Sequence, residues 1–248
     1  MNKSRKERID KVLLERGFAE SREKARALIM AGQVVVNDRR IDKAGTLVPF
    51  DGDIRIKGEV MPYVSRGGLK LQEAINHFNI NVKDRLALDI GASTGGFTDC
   101  LLKHGVAKVY AIDVGYGQMD LKVKNDPRVI PMERKNIRHI KPGEIPEKGD
   151  IAVMDLSFIS LTKVIPHVIP LLKEGGRIVA LIKPQFEVGK GEVGKGGIVR
   201  DEAKIDKVLE EISTFMKSSG LEVTGLIPSP ILGAKGNREF LVYMKKKD

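Results

Sequence analysis

Apolar positions follow two rhythms along the chain, and the change between them falls near residue 60. In the first stretch Ile9, Val12 and Leu13 recur at helical spacing with Arg16 behind them, and Gly17 follows as a stop. Ser21 supplies the hydroxyl of a helix N-cap, Ala25, Leu28 and Ile29 give the next helix its inward stripe, and Gly32 closes it. The run 34–36, the polar turn Asn37-Asp38 and short extended pieces near Ile41, Leu47 and 54–56 complete a small α-then-β unit. From residue 85 onward, short apolar runs at 86–90, 109–112, 129–131, 151–154, 178–182, 221–227 and 240–244 alternate with helical patterns. That alternation predicts an α/β fold, a mostly parallel seven-stranded sheet with helices on both faces. Pro62 and three glycines interrupt both rhythms between residues 57 and 68. The expected organisation is a front unit over 1–60, a linker over 61–67 and a main unit over 68–248.

Composition narrows the class. A chain of 248 residues with 42% hydrophobic and 31% charged positions has enough apolar surface for a sizeable core, which excludes a disordered chain. Lys and Arg number 43 against 33 Asp and Glu, a net charge of +10 that points to a polyanionic partner. The first 60 residues are the more basic part for their length. The second predicted helix leaves Arg22 and Arg26 four residues apart on one exposed face with Lys24 nearby, an arrangement able to straddle a phosphate backbone or simply to face solvent. The single cysteine, Cys100, excludes an internal disulfide, and no Cys/His cluster has metal-ligand spacing, so the expectation is a cytoplasmic protein without a metal. The charged start has no apolar region behind it, and no apolar run approaches the ~18 residues of a membrane span, so no membrane role is expected.

Ligands of such sheets lie beyond the carboxyl ends of the strands. The first strand of the main unit ends in Asp89-Ile-Gly91-Ala92-Ser93-Thr94-Gly95-Gly96-Phe97 and leads into a helix, so glycines at the turn let a ligand approach the backbone and the helix start offers N–H groups to an anion. The dinucleotide fingerprint GxGxxG is not met, because Ser93 holds its second glycine position. A purely structural glycine turn is the alternative. A second glycine-rich stretch, 189–197, lacks the Ser or Thr of a P-loop because Gly196 stands there. It reads either as a loop that orders when substrate arrives or as a plain surface connection.

Four polar residues fall where the pattern places the active edge. Asp155 follows the strand at 151–154, Lys183 follows 178–182, Glu239 begins the last strand, and Lys70 lies just inside a helix that follows Arg66-Gly67-Gly68 and buries Leu71, Ile75 and Phe78. Each alone reads as a surface charge. Phe158, near Asp155, is either a core aromatic or a platform for a nucleic-acid base.

Several of these patterns resemble known families. Arg8-Ile9-Asp10 through Gly17, Ser21-Arg22, Ala25, Ile29, Ala31-Gly32-Gln33-Val34, Val36-Asn37 and Gly52-Asp53-Ile54 resemble the S4 RNA-binding domain. Asp89-x-Gly91-x-x-x-Gly95-Gly96 resembles the first motif of S-adenosylmethionine-dependent methyltransferases of the Rossmann-like class I type. That resemblance implies S-adenosylmethionine as cofactor, Asp113 on its ribose hydroxyls and Asn136 near its adenine, although an acidic residue at that second position also serves NAD enzymes. Lys70, Asp155, Lys183 and Glu239 together resemble the Lys-Asp-Lys-Glu tetrad of FtsJ-type ribose 2′-O-methyltransferases. Over essentially the whole chain the combination resembles the hemolysin A (TlyA) family.

The resemblance implies transfer of a methyl group to a cytidine 2′-hydroxyl in ribosomal RNA, with the S4 unit docking a ribosomal subunit. A ribose hydroxyl is a weak acid and a poor nucleophile, so the reaction needs a group to take or hold its proton. Lys183 is expected to align and deprotonate it, Lys70 and Glu239 to position it, and Asp155 to pair with Lys183 near the methyl donor. Arg5, Lys6, Arg22, Lys24, Arg26 and Phe158 are the candidate RNA contacts. Amine methylation is disfavoured because Asp155-Leu156-Ser157-Phe158 lacks the prolines of that motif, and Cys100 sits inside a helix rather than where a cytosine nucleophile belongs. The rival functions are a noncatalytic RNA-binding or ribosome-assembly protein, a cytolysin and, last, a pseudouridine synthase. The sequence leaves the oligomeric state open, with a monomer favoured.

Overall fold

The computed structural model describes residues 5–57, 61–141, 143–189, 191–194 and 196–247. The chain divides into two compact units, Met1–Pro62 and Tyr63–Asp248.

In the first unit the order is β1 (Lys6–Arg8), α1 (Ile9–Glu15), α2 (Arg22–Met30), β2 (Val34–Val36), β3 (Arg39–Ile41), β4 (Leu47–Pro49) and β5 (Ile54–Ile56). The Ser21 hydroxyl accepts from the Lys24 amide at 3.2 Å, so the N-cap read from the sequence starts α2. Asn37 and Asp38 both take left-handed backbone angles, as a two-residue hairpin between β2 and β3 requires. Ile9, Val12, Leu13, Ala25 and Ile29 close over Val34, Val36, Val48 and Ile54 as one core.

The second unit runs α3 (Gly67–His77), β6 (Leu86–Ile90), α4 (Gly96–Lys103), β7 (Lys108–Ile112), α5 (Leu121–Lys124), β8 (Val129–Met132), β9 (Gly149–Met154), α6 (Ile165–Val168), β10 (Leu172–Ile182), α7 (Pro184–Glu187), α8 (Glu202–Ser218), β11 (Leu221–Pro228) and β12 (Phe240–Lys246). These strands form a seven-stranded sheet in the order β11-β12-β10-β9-β6-β7-β8, in which β12 runs against both its neighbours. The β6, β7, β8, β9 and β10 pairings are parallel. Leu86, Leu88 and Ile90 face a core completed by Val164, Ile165 and Val168 and by Ile205, Val208, Ile212 and Met216 of α8. Ala87 faces the other core, with Leu71, Ala74 and Ile75 of α3 and Phe97, Cys100 and Leu101 of α4. Burial on both faces explains why the central strands read as unbroken apolar runs. Tyr63 belongs to that second core, and the Val64 amide donates to Asp99 at 2.9 Å.

The chain lays β6, β7 and β8 outward in one direction, then returns to place β9 on the other side of β6. The carboxyl ends of β6 and β9 therefore part at a switch point, where connecting segments leave room for a ligand.

Candidate active site

Two cavities open at that switch point. The smaller, about 280 Å³, is lined by Ser65, Arg66, Lys70, Asp155, Ser157 and Lys183, by the 91–94 turn, Gly96 and Phe97, and by Ile231 to Ala234. The larger, about 540 Å³, lies beside Ile112, Asp113, Asn136, Arg138, Leu156 and Phe158. Gly91, Ser93, Asp155 and Ser157 border both, so Asp155 stands at their junction.

The four residues chosen from distant parts of the sequence meet there. Lys70 enters from the first turn of α3, Asp155 follows β9, Lys183 follows β10, and Glu239 immediately precedes β12, whose reversed direction brings it to the same edge. The Lys70 ammonium lies 2.6 Å from Glu239 and 3.8 Å from Asp155, and Lys183 lies 2.6 Å from the other Asp155 oxygen. Lys183 also donates to the Ser157 hydroxyl at 3.1 Å. Lys70, Lys183 and Glu239 are buried, and Asp155 is the most open of the four. Two ammonium groups and two carboxylates balance in charge, which lets them stay together out of water. Such a set is able to grip a polar, weakly acidic group and to receive its proton.

The glycine turn packs against the chain itself as well as bordering the cavity. A side-chain carbon on Gly91 would stand 2.8 Å from the Asp155 carbonyl oxygen, and one on Gly96 would run into the Ser65 hydroxyl and stand 3.1 Å from the Gly68 nitrogen. The bare faces of these two glycines thus admit the end of β9 and the start of α3, while both residues line the smaller cavity. The close packing brings Asp155 and Lys70 to the turn. Ala92 and Phe97 are buried beside it, Ser93 and Thr94 border the smaller cavity, and Gly95 caps α4 in the left-handed region.

Asp89 is fully buried and accepts from the Thr98 hydroxyl at 2.6 Å, while its other oxygen has no partner among the described residues. Burial pushes its carboxyl up to about 7, against the pull of the Thr98 hydrogen bond, and the nearby Asp155 adds to the rise. Asp113 accepts from the Ser93 amide at 2.8 Å and the Gly115 amide at 2.7 Å, so it ties two loops at the cavity wall. Asn136 accepts from the Arg138 amide at 3.1 Å beside the larger cavity.

Phe158 is 90% exposed and has a left-handed backbone, which overturns the core-aromatic alternative. Its ring lies 4.9 Å from that of Phe186, next to Lys183 in α7. In the first unit Arg22, Lys24 and Arg26 keep the exposed face read from the sequence, and each also has an acidic neighbour. Arg22 and Arg26 approach the buried Asp10, which holds Arg8 as well, and Lys24 pairs with Glu20 at 2.8 Å. Arg5 pairs with Glu7 at 3.2 Å, and Lys6 lies in β1 opposite Pro49.

Ser157, Ser65, Arg66 and the 231–234 segment border the site without having been singled out from the sequence. Ser157 alone carried a signal, since it sits two residues beyond Asp155. Of the glycine-rich stretch, Lys190 and Lys195 lie outside the described residues. At its end the buried Asn237 donates to the Gly197 carbonyl at 2.9 Å and accepts from the Val199 amide at 3.1 Å. Among the described residues no cluster of His, Cys, Asp and Glu has the makings of a metal site, and no helix is long and apolar enough to cross a membrane.

Sheet order, reversed strand and a glycine turn at the switch point define a class I methyltransferase fold. The chain belongs to the FtsJ-like methyltransferase family, whose model matches residues 63–246, and an S4 domain model matches residues 7–54. It is 48% identical to the Bacillus subtilis protein named "Putative rRNA methyltransferase YqxC", over 97% of this chain and 86% of that one. It is 41% identical to the "16S/23S rRNA (cytidine-2'-O)-methyltransferase TlyA" of Mycobacterium tuberculosis, over 98% of this chain and 91% of that one. Among solved structures, "Putative hemolysin from Streptococcus thermophilus" superposes with a TM-score of 0.78 at 44% identity, covering 99% of this chain and 90% of that one.

Proposed function

We propose that this protein transfers a methyl group from S-adenosylmethionine to a ribose 2′-hydroxyl, that of a cytidine in ribosomal RNA, with the S4 unit holding the RNA. The observation that carries the reading is the charge-balanced set in which Lys70, Asp155 and Lys183 line one cavity at the switch point and Glu239 is buried behind Lys70. The cytidine 2′-O specificity in the name of the Mycobacterium tuberculosis relative supports the choice of acceptor.

The residues present fit the cofactor. Asp113 offers acceptors to a ribose diol, and Asn136 with the apolar Ile112, Ile137 and Leu156 suits an adenine, whereas Asp89 is buried behind the turn and lines neither cavity. Bound there, S-adenosylmethionine supplies an electrophilic methyl on a sulfonium, which the Asp155 carboxylate at the junction favours electrostatically.

On this reading Lys183 first releases its own proton to water, leaving the resting charge balance, and then receives the hydroxyl proton as the ribose oxygen takes the methyl and the carbon–sulfur bond breaks. Asp155 and Ser157 fix the Lys183 side chain, while Glu239 fixes Lys70, whose ammonium orients the hydroxyl oxygen. Placing oxygen and methyl in line supplies much of the acceleration, because the methyl is already activated. The exposed ring of Phe158 offers a stacking face to the target base. A ribosomal substrate implies a cytoplasmic site of action.

The test is transfer of labelled methyl to purified small and large ribosomal subunits that lack the modification, assayed separately. Incorporation into one or both by the unaltered chain, and its loss with Lys183→Ala, is expected. No transfer to either subunit, or full transfer by the variant, contradicts the proposal.

A further inference from the structure

Three guanidinium groups converge on one carboxylate in the first unit. Asp10, the second residue of α1, has no solvent exposure. Arg8 grips it with two parallel hydrogen bonds, Nε to Oδ1 and Nη2 to Oδ2, each 3.0 Å. From α2, Arg22 Nη2 donates to Oδ2 at 3.4 Å, and Arg26 Nε lies 3.7 Å from the same oxygen. One arginine satisfies a buried carboxylate, so two further ones are more than its burial demands. Each of the three stays roughly half exposed, and no second ion pair of theirs occurs among the described residues. Glu7, the nearest acid on β1, pairs instead with Arg5 and Lys11. The three guanidinium groups exceed Asp10 by two charges, a surplus that Glu23 of α2 and Glu7 of β1 partly offset, and the three side chains keep about half their surface in water.

We propose that Asp10 is a positioning residue that holds Arg8, Arg22 and Arg26 as one preset fork for the phosphodiester backbone of RNA; the inference rests on the ribosomal RNA reading above. Arginine is the side chain suited to planar, two-pronged recognition of phosphate, yet its long stem loses rotamer freedom on binding. A central carboxylate that fixes three such stems beforehand removes that cost from the binding step. The anion thus strengthens binding of another anion. A chain in which only net charge mattered would behave in the opposite way.

The test uses the full chain and unmodified small and large ribosomal subunits, with binding measured at one moderate salt concentration and folding checked by circular dichroism. Asp10→Asn makes the protein one charge more positive, yet binding is expected to weaken by about ten-fold, with KM for the subunit rising in parallel and kcat within about two-fold. The charge-keeping double variant Arg22→Lys, Arg26→Lys is expected to weaken binding about five-fold with an unchanged salt slope, since both residues are exposed and the phosphate contacts keep their number. Adding Asp10→Asn to that double variant is expected to cost less than it does alone, because the carboxylate acts through these arginines.

Equal or tighter binding by Asp10→Asn overturns the inference, as does full additivity. Should Asp10→Asn fail to fold, the lysine double variant decides: unchanged affinity overturns the inference. Absence of saturable binding by the unaltered chain to either subunit overturns the ribosomal reading and this inference with it.

Discussion

The two units solve opposite electrostatic problems with the same kinds of side chain. In the second, two lysines and two carboxylates sit together in balance, mostly buried, at the edge of a rigid sheet. In the first, one carboxylate is surrounded by three arginines, so the acid is hidden and a positive surplus faces outward. Balance suits a place where a proton is to be moved with little reorganisation, whereas surplus suits a surface that meets a polyanion. The choice of cation follows the same division. Lysine has an amine form that accepts a proton, while arginine keeps its charge and offers a planar fork.

Breaking the balanced cluster is expected to have the largest effect. Lys183→Ala removes the proposed proton acceptor and should lower kcat for methyl transfer by about 10³-fold while cofactor binding, followed by calorimetry, changes little. Glu239→Gln keeps the shape but strips Lys70 of its 2.6 Å partner, and single-turnover rates should fall by about 10²-fold. Wild-type rates in either variant would mean that the cluster serves packing alone.

The surplus cluster should answer to pH and stability. The Arg8 bonds, with help from Arg22, hold the Asp10 carboxyl down to about 2, below its usual 3.8. A depressed folded value means that its stabilisation is complete above about pH 4 and is lost as pH falls toward 2. Asp10→Asn should therefore destabilise the first unit by roughly 2 kcal/mol at neutral pH, with the gap to the unaltered chain closing in acid, as read from denaturant melts. A constant gap across that range would contradict the ion-pair account.

Asp89 reverses the sign. Its carboxyl is pushed up to about 7 by burial, so the folded state prefers the proton, and the cost of its charge grows as pH rises from about 4 to 7. Asp89→Asn should raise the melting temperature more at pH 8 than at pH 5. The smallest effect concerns Cys100: burial pushes its thiol up to about 12, so a maleimide should label the native chain far more slowly than the unfolded one.

Much of the site was readable because it is tied to strand ends. Asp155 and Lys183 each follow an unbroken apolar run, and Glu239 precedes one, so locating the strands located the charges. Other features depend on partners that no local pattern reveals. Helical spacing put Arg22 and Arg26 on one face, but it had no means of showing that a carboxylate from α1 sits beneath them. The glycines of the turn read as space for a ligand, and the spacing did not show that Gly91 and Gly96 also receive the chain's own atoms from β9 and α3. Strand β10 begins at Leu172, well before its apolar run, because Lys173-Glu174-Gly175-Gly176 carries no alternation and its pairing with β9 shifts register there. Phe158 looked like core material, and its exposure is a matter of backbone direction at a left-handed turn.

In the proposed reaction the balanced cluster works on a sugar oxygen. The most direct measurement is mass spectrometry of nucleosides from ribosomal subunits treated with the protein and S-adenosylmethionine. Cytidine carrying its new methyl on the ribose is expected, and its absence when Lys183→Ala replaces the unaltered chain. A methyl found on a base instead would contradict it.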